Sequence, residues 1–399
     1  MAKRCRLLAL VGAMAMACVM TGCWDRVEIN NRGFVTGISI DAPTGSGEGE
    51  AASVSGLTAS FYRICYQIVV PGGQSGGSEG SAGGTSFSNL CGEAVSLAAF
   101  HQFATDKLSR SPFYDHLKVI LISHRVAREG DGLADALDFF LRGSGIRRSI
   151  KILIAKGNAA EALNAESPNE RLPTSDIESI ASNRNSLEKP PASRIGYIHE
   201  RLMNETSYVV QVLETAHKSV QVSGSAVIDG KTNREAGTLD ERQTAGRNFL
   251  YGSKMRGSIT FKCQGERVSL SVYETKSSMR ADVRDPAHIV FGVNVRSVVT
   301  VREITGSLDL SKPAVIKKIQ ACAESEIEST IEDAVSVVQR DIRKDALGLD
   351  EYLQQRHYRT WKKIANDWDH GKYLLSGCIV KPRVSVNVRQ AGIVDKSER

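Results

Sequence analysis

LKVILISHRVAREGDGLADALDFFLRGSGIRRSIKILIA, residues 117–155, decides how the first half of the chain folds. Leu117 to Ser123 is apolar apart from Lys118 and its closing serine, and Ile150 to Ala155 repeats the pattern. Short apolar runs of this kind read as strands buried on both faces. Between them, over Asp131 to Leu141, the period changes, and Leu133, Leu137, Phe140 and Leu141 fall on one side of a helix. Strand, helix and strand in this order predict a crossover unit within an α/β layer.

Toward the N-terminus, Glu93 to Leu108 keeps helical spacing through Val95, Ala98, Ala99, Phe103 and Leu108. Phe34 to Asp41 reads as a strand closed by Ala42-Pro43-Thr44-Gly45, and a second strand spans Phe61 to Val70 before Pro71. Between them and the helix lies a Gly/Ser tract, residues 71–88, with almost nothing apolar to bury, so it is expected to be flexible. Past the second apolar strand, Asn158 caps a short helix over Ala159 to Ala165. Asn169 to Ser193 is polar, carries Pro173, Pro190 and Pro191, and reads as a domain connection with one helix near Ser175 to Ala181.

The second half has a different grammar. Val220 to Ile228 is a strand, and Asp229-Gly230 is a hairpin signal. Gly257 to Cys263 and Val268 to Tyr273 flank a turn at Gly265. Ile289, Phe291, Val293, Val295, Val299 and Val301 share one parity, with Ser297 the exception, opposite a wet face of Asn294, Arg296, Thr300 and Arg302. Ile327, Ile331, Val335, Val338 and Ile342 mark an amphipathic helix with Glu324, Glu328, Glu332 and Arg340 outside it. A last strand alternates Val384, Val386 and Val388 with Arg383, Ser385, Asn387 and Arg389. The predicted fold class is therefore α/β plus α+β: an N-terminal mixed sheet with crossover helices, then a C-terminal antiparallel sheet packed with a long helix.

The first residues carry an address. Lys3, Arg4 and Arg6 precede an apolar run from Leu7 to Met20, and Thr21-Gly22 supplies two small residues before Cys23. This is the pattern of a bacterial export signal over residues 1–22. The run is shorter than the ~20 apolar residues a permanent span needs. A cysteine directly after the small residues predicts lipoprotein processing, with S-diacylglycerol and N-palmitoyl groups on Cys23. No second apolar run is long enough to span, so attachment rests on the lipid. The formal charge of +6 falls to +3 once Lys3, Arg4 and Arg6 are removed, which is too weak to indicate a nucleic-acid partner.

Of 8 cysteines, Cys5 and Cys18 leave with the signal and Cys23 takes lipid. Cys65, Cys91, Cys263, Cys322 and Cys378 remain, with no CxxC pair and no metal-ligand spacing. At most two disulfides can form, the sequence selects no pairing, and buried free thiols are the simpler expectation.

Catalytic motifs fail on context. Gly73-Gln74-Ser75-Gly76-Gly77 matches G-x-S-x-G, but a nucleophile elbow needs a strand-to-helix turn and this serine sits in a Gly/Ser tract. Gly230-Lys231-Thr232 resembles the end of a phosphate loop, but the glycine five residues earlier is replaced by Ser225 and no helix follows. The eight histidines lack ligand spacing, so no metal or cofactor is expected. Tyr358, Trp361 and Trp368 cluster at near-helical spacing and read as core.

Taken together, several segments resemble the germinant-receptor C-subunit family, Ger(x)C, of spore-forming bacteria. They are Gly22-Cys23-Trp24-Asp25-Arg26-Val27-Glu28-Ile29-Asn30 with Phe34 to Asp41, His116 to Ile122, Leu137 to Arg142 with Ile146-Arg147-Arg148, Trp361 to Ile364 with Trp368, and Val384 to Arg389. Two features depart from the family pattern. The Gly/Ser tract reads as an insertion, and Ala346-Leu347-Gly348-Leu349-Asp350 stands where the family often has Gly-Phe-Gly. The resemblance implies a Ger(x)C-like α/β domain over 23–195, a middle β-rich piece over 196–275 and a Ger(x)C-like α+β domain over 276–395. It implies a non-enzymatic lipoprotein of a nutrient receptor in the spore inner membrane, whose partners are the integral membrane A and B subunits. The sequence itself leaves open a solute-binding lipoprotein that delivers a small ligand to a transporter.

Overall fold

The computed structural model of the chain describes residues 31–43, 51–52, 62–70, 86–129, 132–143, 146–252, 256–306 and 308–389. Cys23, the signal and residues 71–85 of the Gly/Ser tract lie outside the described residues.

The first sheet contains β1 (Arg32–Asp41), β2 (Ala51–Ala52), β3 (Tyr62–Val69), β4 (Phe87–Ala94), β5 (Ser111–Phe113), β6 (Val119–Ser123), β7 (Lys151–Ala155), β8 (Tyr208–Ala216), β9 (Ser219–Ile228) and β10 (Glu235–Leu239). Its order is β10-β9-β8-β7-β6-β1-β3-β4-β2, with β5 against β1. The centre, β1-β6-β7-β8, is parallel, and antiparallel pairs flank it on both sides. The helices are α1 (Leu97–Lys107), α2 (His124–Arg128), α3 (Gly132–Arg142), α4 (Ala159–Ala162), α5 (Pro173–Ser182) and α6 (Ile195–Met203).

Alternation along β6 and β7 feeds two cores, one on each face. Ile120, Ile122, Ile152 and Ile154 pack with Phe100 of α1, Leu133, Leu137 and Phe140 of α3, and Ile198 of α6. Val119, Leu121, Leu153 and Ala155 pack with Ala159 and Ala162 of α4 and Ile177 and Ala181 of α5. Both strands are buried along their whole length because both faces are covered.

Polar side chains fix the helices to this sheet. The Asp41 carboxylate, at the end of β1, accepts the Ala159 and Ala160 amides at 2.7 and 2.9 Å, satisfying the start of α4. Buried Gln67 on β3 donates to the Leu163 carbonyl at 2.7 Å and accepts from Thr174 Oγ1 at 2.9 Å, at the start of α5.

Three boundaries differ from the sequence expectation. Glu93 and Ala94 belong to β4, and the following helix begins only at Leu97, where Ser96 Oγ accepts the Ala99 amide and caps it. β4 itself starts at Phe87, inside the tract 71–88 whose composition predicts flexibility. The helix capped by Asn158 stops at Ala162.

Residues 169–193 do not divide the chain, because α5 lies under the sheet and β8 to β10 then extend that same sheet. The stretch 196–275 forms no sheet of its own. β8 to β10 complete the first sheet, and β11 (Gly257–Cys263) and β12 (Glu266–Asp282) open a second. The cause is edge pairing: β8 joins the parallel edge of β7, the turn at His217-Lys218 brings β9 back beside β8, and the Asp229 turn then sets β10 beside β9.

The second sheet adds β13 (Val290–Thr305) and β14 (Ile379–Arg389) in the order β11-β12-β13-β14. Its first three strands are antiparallel, while β14 runs parallel to β13, a direction the alternation of Val384 to Arg389 does not encode. The inner face, with Phe261, Leu270, Phe291, Val293 and Val295, packs on Ile319, Ala323, Ile327 and Ile331 of α8 (Pro313–Val337), which follows α7 (Glu241–Tyr251). Ser297, the one polar residue of the inward parity, shares a hydrogen bond with Thr275 at 3.2 Å. The outer face is basic: Lys276 pairs with Arg296, and Arg383 with Asn294, across adjacent strands.

α7 and α8 touch at Gly246, where an added Cβ would lie 2.0 Å from the Thr330 carbonyl oxygen. Gly246→Ala is therefore expected to force the helices apart and cost roughly 2–3 kcal/mol of stability, read as a lower urea midpoint. An unchanged midpoint would show that this approach is not held tightly.

The cysteines correct a second expectation. Cys65 pairs with Cys91 and Cys263 with Cys322, while Cys378 is free and buried. Antiparallel register sets Cys65 directly opposite Cys91 on β3 and β4, and helix packing brings Cys322 of α8 to Cys263 on β11.

Candidate functional site at the junction of the sheets

Four distant segments converge where the two sheets meet: Ser207 before β8, Asp229 after β9, residues 344–350 after the turn that ends α8, and residues 368–370. Asp345, 1% exposed, organises them. Its Oδ1 accepts the amides of Leu347 and Gly348, each at 2.9 Å, and of Leu349 at 3.3 Å. Its Oδ2 accepts the Asp350 amide at 2.7 Å and the Trp368 indole N–H at 2.9 Å. The local sequence allows this because Gly348 takes φ +77°, which lets residues 345–348 turn so that the Asp345 carboxylate caps the start of α9 (Leu349–Arg356).

A second layer ties this knot to the first sheet. Asp369 Oδ2 accepts the Ser207 hydroxyl at 2.6 Å and the Asp345 amide at 3.3 Å. Lys344 Nζ lies 3.0 Å from Asp229 Oδ2 and donates to the Asp369 carbonyl at 2.8 Å, while His370 Nε2 lies 3.0 Å from Asp229 Oδ1. Burial alone would raise the Asp229 pKa, but the Lys231 amide and the Lys344 ammonium outweigh it and hold the carboxyl below its usual range. Burial, opposed by the Trp368 indole and the backbone amides, raises Asp345. Burial, reinforced by the charge of Asp345, pushes Asp350 well above the carboxylate range. On the other side of α9, Glu351 pairs with Arg201 of α6 at 2.7 Å and accepts the Tyr251 hydroxyl at 3.1 Å.

These carboxylates are saturated by backbone amides, an indole and a lysine, so the arrangement acts as a clamp between sheets. Among the described residues, no group of three or more His, Cys, Asp or Glu side chains is placed to hold a metal ion. The Gly230-Lys231-Thr232 segment is an Asx turn, in which the Lys231 and Thr232 amides donate to Asp229 Oδ1. Ser75 and Cys23 lie outside the described residues. Trp361 and Trp368 are core, edge to face at 5.9 Å, whereas Tyr358 is 59% exposed and leaves that cluster. One signal for the clamp is visible in the sequence, the Asp229-Gly230 turn; its other members look like ordinary polar residues.

Residues 25–215 match the family model described as spore germination protein N-terminal domain, and residues 223–392 match that described as spore germination B3/GerAC like, C-terminal. The chain belongs to the Ger(x)C family. This is the family of germinant-receptor C subunits in spore germination. Spore germination protein YndF of Bacillus subtilis (strain 168) is 25% identical over 375 residues, covering 90% of this chain and 91% of the relative. Spore germination protein B3 of the same organism is 22% identical over 389 residues, covering 96% and 97%. The solved structure titled Crystal Structure of the GerBC protein aligns with a TM-score of 0.58 at 20% identity over 82% of this chain and 93% of that one, a likeness of fold. The seam between the two Ger(x)C models falls inside the β8–β9 hairpin, so the second model supplies β9 and β10 to the first sheet. No helix among the described residues is long and apolar enough to cross a membrane.

Proposed function

We propose that this chain is a non-enzymatic lipoprotein subunit of a nutrient germinant receptor, tethered through Cys23 to the outer face of the spore inner membrane. It acts by protein contacts with integral membrane A and B subunits. The observation that carries this reading is positional: Cys23 follows an export signal and stands two residues before a family match that runs on to residue 392. Processing before Cys23 makes it the first residue of the mature chain, so the lipid is carried two residues before the start of the family match. A multi-chain anchor holds durably, since each buried methylene contributes about 0.8 kcal/mol. Tethering raises the effective concentration of the domain surfaces near membrane partners, so each contact can be weak.

The test is Cys23→Ala in spores. The protein is expected to leave the membrane fraction, and nutrient-triggered germination to slow by on the order of tenfold or more. Normal germination with the protein still on the membrane overturns the anchor. Crosslinking from spore membranes with this chain as bait is expected to recover two integral membrane proteins, and their absence overturns the subunit reading.

A further inference from the structure

Arg247, on α7, is 6% exposed and makes no ion pair among the described residues. Its Nε donates to the Ala346 carbonyl at 3.0 Å and its Nη1 to Asn248 Oδ1 at 3.2 Å. A guanidinium has five N–H donors, so those two bonds leave three without a protein acceptor. The group lies 4.5 Å from the Tyr251 ring centroid, a cation–π contact that supplies no counter-ion. The neighbouring carboxylate, Glu351, is engaged by Arg201 and Tyr251. Burial and the charge of Asp345 both disfavour the ionised form of Asp350, and its Oδ1 is engaged by the Glu351 amide. Burial lowers the Arg247 pKa, the mark of a cation short of counter-charge.

A buried charge without a partner is strongly unfavourable, and proteins retain one where something pairs with it. Arg247 lines a cavity of about 140 Å³ between the first sheet and α7, together with Pro190, Pro191, Ala192, Tyr197, Val209 and Tyr251. Ser193 also lines it, its hydroxyl donating to the Val209 carbonyl, and the prolines, Ala192 and Val209 make the apolar part of the wall. A cavity near 150 Å³ accommodates a molecule of about six heavy atoms.

We infer that this cavity binds a small carboxylate with a short apolar tail, the carboxylate facing the Arg247 guanidinium and the tail lying against Pro190, Pro191 and Val209. A planar carboxylate suits the planar fork of arginine, and the apolar walls favour a hydrocarbon tail over a fully hydrated inorganic anion. The inference is independent of the receptor-subunit reading, since it concerns this chain alone.

The test uses the full chain in detergent micelles at constant ionic strength, titrated with acetate, propionate, butyrate, 1-propanol and inorganic phosphate, followed by calorimetry and thermal unfolding. Saturable binding of propionate is expected, with a raised Tm, and no saturation by propanol or phosphate. Arg247→Met is expected to weaken propionate at least about tenfold, the loss of a charged hydrogen bond. Ala192→Phe, which fills the cavity while keeping the guanidinium, is expected to do the same, and it decides the matter if Arg247→Met does not fold. No saturable propionate binding, equal binding of phosphate, or binding unchanged in a folded Ala192→Phe chain each overturns the proposal.

Discussion

Replacing Cys322 with serine is expected to lower stability by about 4 kcal/mol, read by urea unfolding without reductant. The bridge to Cys263 spans 59 residues, a long loop that the unfolded chain must otherwise close at an entropic cost. It fastens α8 to β11, the edge strand of the second sheet, which among the described residues has a hydrogen-bonded neighbour on one side only. Breaking it therefore loosens the edge as well as expanding the denatured state. Cys91→Ser opens a 26-residue span between strands already paired in register, and its expected loss is smaller, about 3 kcal/mol. The free thiol of Cys378 is buried, and burial pushes its pKa up to about 12, so it is poorly placed to exchange into either bridge. If reductant leaves the urea midpoint of the wild-type chain unmoved, neither bridge contributes and this account fails.

The disulfides mark where the sequence stopped being legible. Pairing Cys65 with Cys91 requires β4, and FSNLCGEA shows no alternation of apolar residues that would announce a strand. Its reasons are tertiary: Asn89 donates to the Leu163 carbonyl and to Asn164, and Gly92 is small because a Cβ there would meet Phe103 and Phe100 within 3.2 Å. Cys322 was hidden differently. The apolar stripe of α8 runs back from Ile327 through Ala323 to Ile319, so the helix and its cysteine were available to a longer count. β8 escaped because its polar residue, Gln211, is fully buried and donates to the Ala181 and Pro190 carbonyls.

By contrast β6, β7 and α3 could be read directly, because burial on both faces, or a single helical stripe, writes itself into composition. The clamp could not, since Ser207, Asp229, Asp345 and Asp369 come from positions far apart in the chain and carry no shared spacing. Cys23 is the opposite case: the apolar run and small residues before it are local, so the proposal made for it rests on sequence alone.

Asp345→Ala is expected to be among the most damaging single changes in the chain, costing at least about 4 kcal/mol, because it strands four backbone amides and an indole N–H in the interior at ~1–3 kcal/mol for each buried group. Asp345→Asn keeps one acceptor oxygen and is expected to fall between. Trp368 reports the change directly, since its indole loses its acceptor and its fluorescence should shift before global unfolding. Asp350→Asn should behave in the opposite sense. The folded chain holds the Asp350 proton to a higher pH than the unfolded chain, whose carboxyl titrates near about 3.9. Above that pH the native state binds more protons than the unfolded state, so this group makes stability fall as pH rises toward its raised folded value. Asn cannot ionise, and it retains an oxygen for the Glu351 amide, which Asp350 accepts at 2.6 Å. The variant should match wild type near pH 4 and become the more stable of the two as pH rises to 8. A constant offset across that range, or a variant less stable at pH 8, would show that Asp350 is ionised in the folded clamp and that a cation compensates it.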